Sequence, residues 1–201
     1  MSGRLGRKVI GKSSLMKLED LVLTSLDSAK HMTESETLIN KDEYTILLAG
    51  RKDGIGREGV GFLISQPLLE CLVSYESVSS RIITAKFKMK DGILNIINVY
   101  APTTTHSDEE SDEFYDGLQH LLQKVNKKEK LILMGDFNAK IGSDSKTWTP
   151  AMGKYGIGKI NSRGEKLLEF CMLHKLTVCN THFQHKACRK VTLHLVGNTK
   201  I

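Results

Sequence analysis

The spacing of apolar positions divides the chain into short strand-like runs separated by amphipathic helices. Leu15, Leu18, Val22, Leu26 and Ala29 recur at helical spacing after the capping-type residues Ser13 and Ser14, and predict a helix over residues 14–31. Tyr44–Leu48 and Val60–Ile64 are brief apolar runs that read as strands, joined by the Gly- and charge-rich Arg51–Gly59. Ile82–Phe87 and Ile93–Tyr100 form a pair of strands, with Asp91-Gly92 as a hairpin signal between them. The acidic Ser107–Asp116 leads into a helix whose apolar face is Phe114, Leu118, Leu121, Leu122 and Val125. Its acidic start and the Lys127-Lys128 that follow match the helix dipole. Leu131–Met134 is a continuous apolar run, the pattern of a buried strand. Residues 140–161 are rich in Gly, Ser and Lys and predict a long surface loop. Arg163–His174 predicts a further helix with Leu167, Leu168, Phe170 and Cys171 inward, and Leu176–Asn180 and Val191–Val196 predict strands. Many strands with a few interposed helices point to α/β packing around sheets.

Composition narrows the class. The 201 residues are 40% hydrophobic and 26% charged, the balance of one globular domain. No apolar run approaches the ~20 residues that cross a bilayer, and the basic start Met1–Lys8 has no apolar segment after it, so neither a membrane partner nor a secretory leader is expected. A nuclear or cytoplasmic location follows as the expectation. The net charge of +6 suits a polyanionic partner such as DNA or another nucleic acid. Cys71, Cys171, Cys179 and Cys188 lie mostly in apolar surroundings and read as free thiols rather than a disulfide framework. Sequence leaves the oligomeric state open.

The chemistry concentrates after the buried strand, in Gly135-Asp136-Phe137-Asn138-Ala139. An acid and an amide two residues apart, just past a strand end, can face one cleft. A carboxylate can hold a hard metal or orient a water, and an amide can bond a phosphate oxygen without adding repulsion. Both types also favour plain turns. Tyr100 stands at a strand end before Ala101-Pro102, and Asn98 reads as a strand residue pairing locally. Glu34 and Glu36 are alternative acids ahead of the Tyr44 strand. His106, His120 and His174 read as surface or helix-face residues.

Ser35-Glu36-Thr37, Asn98-Val-Tyr-Ala-Pro102, Gly135-Asp-Phe-Asn-Ala139, Asn161-Ser-Arg-Gly-Glu165 and Asn180-Thr181, in that order, resemble the endonuclease/exonuclease/phosphatase superfamily. Within it, they resemble the endonuclease domains of LINE-type retrotransposons and the craniofacial development protein 2-like host proteins derived from them. The likeness starts near residue 35, which sets residues 1–34 apart as a divergent segment carrying the predicted helix. It implies a four-layer α/β sandwich of the DNase I-like type, with the site at one end. It also implies metal-assisted phosphodiester hydrolysis with Mg²⁺, or Mn²⁺ in its place. By the same resemblance Glu36 is a metal ligand and Tyr100 bonds the scissile phosphate. Asp136 aligns or deprotonates the attacking water, and Asn138 holds a phosphate oxygen.

Parts of the pattern have no counterpart. The family's Trp-Asn motif is absent from residues 1–30, Leu193 stands where the family has Trp, and no Ser-Asp-His segment occurs. The expectation is a fold truncated at the C-terminus with weak or absent hydrolysis, because members of a catalytic set act as a unit. Two other classes stay open: a nucleic-acid-binding module without turnover, and a phosphatase on a small phosphoester. A zinc site from Cys179, His182, His185 and Cys188 is disfavoured, since four ligands at intervals of three cannot converge from one short element.

Overall fold

The strands around Ile96 and Ile132 lie side by side in the larger of two packed sheets. The computed structural model describes residues 8–11, 21–25, 36–40, 44–50 and 59–184, with the backbone course alone for 8–11, 21–25, 36–40 and 50. The larger sheet has the order β1 (Lys8–Gly11), β9 (Lys130–Asp136), β8 (Gly92–Tyr100), β7 (Ile82–Met89), β6 (Leu72–Ser79). β9 is parallel to both neighbours, and the rest pair antiparallel. The second sheet has the order β2 (Leu21–Ser25), β5 (Gly59–Ser65), β4 (Tyr44–Gly50), β3 (Glu36–Asn40), all antiparallel. β10 (Ile141–Gly142) and β11 (Ile157–Ile160) form a small separate ladder.

Alternation along the central strands serves two cores. Leu94 and Ile96 of β8, Ile132 of β9 and Ile83, Ala85 and Phe87 of β7 face Leu47, Ala49, Val60, Phe62 and Ile64 of the second sheet. Ile97, Val99, Leu131 and Leu133 point the other way. There they meet α2 (Asp108–Lys124) and α3 (Ser162–His174) through Phe114, Leu118, Leu122, Leu168 and Phe170. Burial on both faces explains why these strands are apolar runs rather than alternating ones. The helix core is dry enough to push the Cys171 thiol up to about 12 and to raise the Tyr115 phenol, both by desolvation. The remaining helix, α1 (Gln66–Leu69), adds Leu68 to the core between the sheets.

Local chemistry sets the helix ends. Ser107 and Glu110 close a capping box at the start of α2, with Glu110 N–H donating to Ser107 Oγ at 3.2 Å and Ser107 N–H to Glu110 Oε2 at 3.1 Å. The α2 crossover lets β8 and β9 run parallel, which a tight turn cannot do.

The structure changes several expectations. Leu21–Ser25 is a strand paired with β5, so no helix runs through residues 14–31; the rest of that span lies outside the described residues. Pairing Leu21, Val22 and Leu23 against Ile64, Leu63 and Phe62 outweighs the helical spacing. β1 and β2 both come from before residue 35, and each pairs into one of the large sheets. Residues 140–161 are no plain surface loop, because Ala151 and Met152 are core residues and β10–β11 pair within the segment. Leu176–Asn180 makes a single bridge, Val178 to Met152, and then a 3-10 turn over Cys179–Thr181. Val191–Val196 lies outside the described residues.

Asn98 ties the two sheets together. Its side chain is 2% exposed, and Nδ2 donates to the Gly61 carbonyl of β5 at 2.8 Å. Asn98→Ala leaves that bond unmade inside the core and is expected to lower stability by about 1–3 kcal/mol. Urea denaturation measures this as a lower midpoint at unchanged slope.

Candidate active site

The parallel rung Tyr100–Asp136 ends β8 and β9, and one more bond extends it: Ala101 N–H donates to the Asp136 carbonyl at 2.8 Å. The preceding rung, Val99–Gly135, permits no side chain at 135. Gly135 has φ +127°, and a Cβ there would run into the Val99 carbonyl oxygen, within 2.7 Å of Val99 N and 2.8 Å of Asn98 Oδ1.

A tight turn follows. Asp136 Oδ1 accepts from Asn138 N–H at 3.1 Å, an Asx-type bond across two residues. Asn138 takes the left-handed conformation, φ +47°, which Asn tolerates better than most residues. Its Nδ2 donates to the Ala101 carbonyl at 2.7 Å. Phe137 between them is buried in the helix-side core and anchors the turn. Tyr100, Ala101, Asp136 and Asn138 are thus stitched into one unit, with Tyr100, Asp136 and Asn138 half-buried.

Two further clamps hold the segments that leave this unit. Asn161, the N-cap of α3, accepts on Oδ1 from Lys140 N–H at 3.0 Å and from Gly164 N–H at 2.9 Å, and its own N–H donates to the Lys140 carbonyl at 3.0 Å. Arg163 is buried and donates to the carbonyls of His106 (2.9 Å) and Ser107 (3.2 Å) and to Asp108 Oδ1 (3.0 Å). It fixes the segment that leaves Ala101-Pro102. Thr181 holds the 150s segment from behind, its Oγ1 accepting from Gly153 N–H at 2.7 Å.

Of the four residues singled out in the sequence, Tyr100, Asp136 and Asn138 come together. Glu36 opens β3 as the register partner of Ala49, which in turn pairs with Val60. That row is one step from Gly61, which Asn98 reaches, but the Glu36 side chain lies outside the described residues, as does Glu34. Asn98 is a tie between sheets rather than a local strand pair. His106 is no plain surface residue, since its ring is held by Arg81 and Thr103. Arg81 carried no sequence signal beyond an isolated positive charge, and Arg163 entered only as part of the Asn161–Glu165 motif, with no clamping role read for it. Among the described residues, no disulfide joins Cys71, Cys171 and Cys179, and no three His, Cys, Asp or Glu gather to hold a metal. His185 and Cys188 of the disfavoured zinc set lie outside the described residues. The donors at this site are oxygens, with Asp136 as the described carboxylate. Such a set suits Mg²⁺ or Mn²⁺, which need only one or two carboxylates and keep waters, rather than Zn²⁺.

A family model described as endonuclease-reverse transcriptase matches residues 94–196, which include both strand ends of the site. The chain belongs to this family. Its curated relatives include craniofacial development protein 2 of Bos taurus, 34% identical over 155 residues, and that of Tragulus javanicus, 32% identical over 155 residues. Each match covers 77% of this chain and 26% of the relative, so the chain spans about a quarter of those proteins. Among solved structures it is similar to the endonuclease domain of TRAS1, a telomere-specific non-LTR retrotransposon, at 15% identity. That likeness covers 77% of this chain and 59% of the TRAS1 chain, with a TM-score of 0.48.

Gly135→Ala is expected to cost about 3 kcal/mol, combining positive-φ strain with a backbone collision. Gly92→Ala, at φ +109° with open space around the Cβ, should cost about 1–2 kcal/mol from strain alone. Paired urea titrations of the two variants check the difference.

Proposed function

We propose that the ends of β8 and β9 form the phosphodiester-binding centre of an endonuclease-like domain that takes DNA. The observation carrying this reading is the Tyr100–Asp136 rung with Asn138 locked beside it. The Tyr100 hydroxyl donates to a phosphate oxygen. The Asn138 amide is oriented by Ala101, and its second N–H is the donor for another phosphate oxygen. Asp136 keeps its carboxylate oriented through the Asn138 N–H and aligns the attacking water. Asp136 and Glu36 are the residues that would hold a divalent cation. Such an ion, when bound, polarises the phosphate and neutralises its charge. The net charge of +6 favours a polyanionic partner through counterion release. Turnover by the 201 residues alone is weak or absent, since no Ser-Asp-His segment stands in the sequence to supply the family's His-Asp pair.

The test joins two assays on the purified chain with Mg²⁺. Fluorescence anisotropy with a short DNA duplex is expected to show affinity that falls with salt and that drops about tenfold in Tyr100→Phe, the cost of one lost bond to a charged group. Plasmid nicking is expected to be weak, and whatever occurs disappears in Asp136→Ala. Absence of DNA binding at low salt, or robust nicking indifferent to Asp136→Ala, overturns the reading.

A further inference from the structure

Tyr100 is held by one residue on three sides. Arg81, in the turn between β6 and β7, accepts at its carbonyl from Tyr100 N–H at 2.9 Å. Its Nη1 donates back to the Tyr100 carbonyl at 3.3 Å. Its guanidinium carbon sits 5.8 Å from the centre of the Tyr100 ring, within cation–π range. The remaining arm, Nη2, lies 3.1 Å from His106 Nε2.

His106 is tied through both ring nitrogens. Nε2 faces Arg81 Nη2, while Nδ1 accepts from Thr103 N–H at 3.2 Å and lies 2.7 Å from Thr103 Oγ1. Thr103 Oγ1 in turn lies 2.7 Å from Thr105 Oγ1. Arg81 therefore connects the Tyr100 ring to the 103–106 segment through its planar fork. Arg163 holds the same segment from the other side, at the His106 carbonyl. The Arg81 charge is engaged with protein groups on the rim of the site.

We propose that Arg81 is the positioning residue for Tyr100: its guanidinium fixes the phenol at the angle from which the hydroxyl meets a phosphodiester oxygen, and His106 fixes the guanidinium. This rests on the reading of Tyr100 as a phosphate donor. Arg81 acts through Tyr100 and makes no phosphate contact of its own. A lysine cannot replace it, because an ammonium lacks the planar fork that reaches the Tyr100 carbonyl and His106 together.

The experiment measures the affinity of a short DNA duplex across a KCl series for the full chain, Arg81→Gln, Arg81→Lys, Tyr100→Phe and the double variant Arg81→Gln/Tyr100→Phe, each with its thermal unfolding curve. The expected result is a loss of about five- to tenfold in Arg81→Gln, in line with one charge-assisted bond. Arg81→Lys gives no rescue. The slope of log affinity against log salt is unchanged, because no phosphate-neutralising charge is removed. In the Tyr100→Phe background the Arg81→Gln loss falls to less than about twofold, the mark of two residues acting as one. A fold-stabilising role alone would not give that coupling.

A slope that falls by about one with affinity restored by Arg81→Lys identifies a direct phosphate contact and overturns the proposal. So do additive losses in the double variant. Should Arg81→Gln not fold, Arg81→Lys carries the comparison: lost affinity at constant slope supports the proposal and wild-type affinity overturns it. If Tyr100→Phe weakens binding and neither Arg81 variant does, this inference alone fails. If Tyr100→Phe itself has no effect, the phosphodiester reading fails with it.

Discussion

β8 and β9 approach so closely at their carboxyl ends that residue 135 has no space for a methyl group. The parallel pairing that places Tyr100 beside Asp136 depends on that approach, and so does the positive φ from which the chain turns into Asp136 and Asn138. Every other feature of the site is arranged around this contact. Phe137 pulls the turn into the helix core, Asn138 sews it to Ala101, and Asn161 pins the segment beyond it. A small backbone concession at one glycine thus yields a rigid pairing of phenol, carboxylate and amide. Rigid placement on strand ends is what a phosphodiester site needs, since donors must be set before the charge arrives.

The arginines explain how the rest of the rim is kept in place. Arg163 is buried against the carbonyls of His106 and Ser107, so its fork ties α3 to the start of α2. Arg81 does the corresponding work on the opposite side of the same segment. Both use the planar, multi-donor shape of guanidinium, which bonds several carbonyls or rings at once.

Legibility followed physical cause. β8, β9 and both long helices could be read because their patterns come from burial on defined faces: Leu94 to Val99 is buried on both sides, and α2 announces itself with Ser107, three acids and a stripe from Phe114 to Leu122. The convergence of Tyr100, Asp136 and Asn138 could be read because their motifs sit at strand ends. β2 was misread because Val22 and Leu26 fit a helical period, while its pairing with β5 is a long-range fact that no local window contains. β6 was missed because Leu72–Ser79 is a half-exposed edge strand mixing Ser, Glu and apolar residues. Ala151 and Met152 were hidden by the Gly, Ser and Lys around them. The clamping roles of Arg81 and Arg163 were not legible, because an arginine in a polar stretch looks the same whether it is solvated or wrapped by carbonyls. Family membership adds what the geometry alone does not: a reason to expect nucleic acid at this particular strand end.

The central claim is that one oxygen-lined centre at the ends of β8 and β9 takes a divalent cation and a phosphodiester. Amide-resolved NMR with substoichiometric Mn²⁺ tests it most directly, since a paramagnetic ion broadens only the signals near its seat. The account predicts early loss of the Tyr100, Ala101 and Asn138 amide signals in the native chain and their survival in Asp136→Ala. Broadening centred instead on the acidic start of α2, or unaltered by Asp136→Ala, would contradict it.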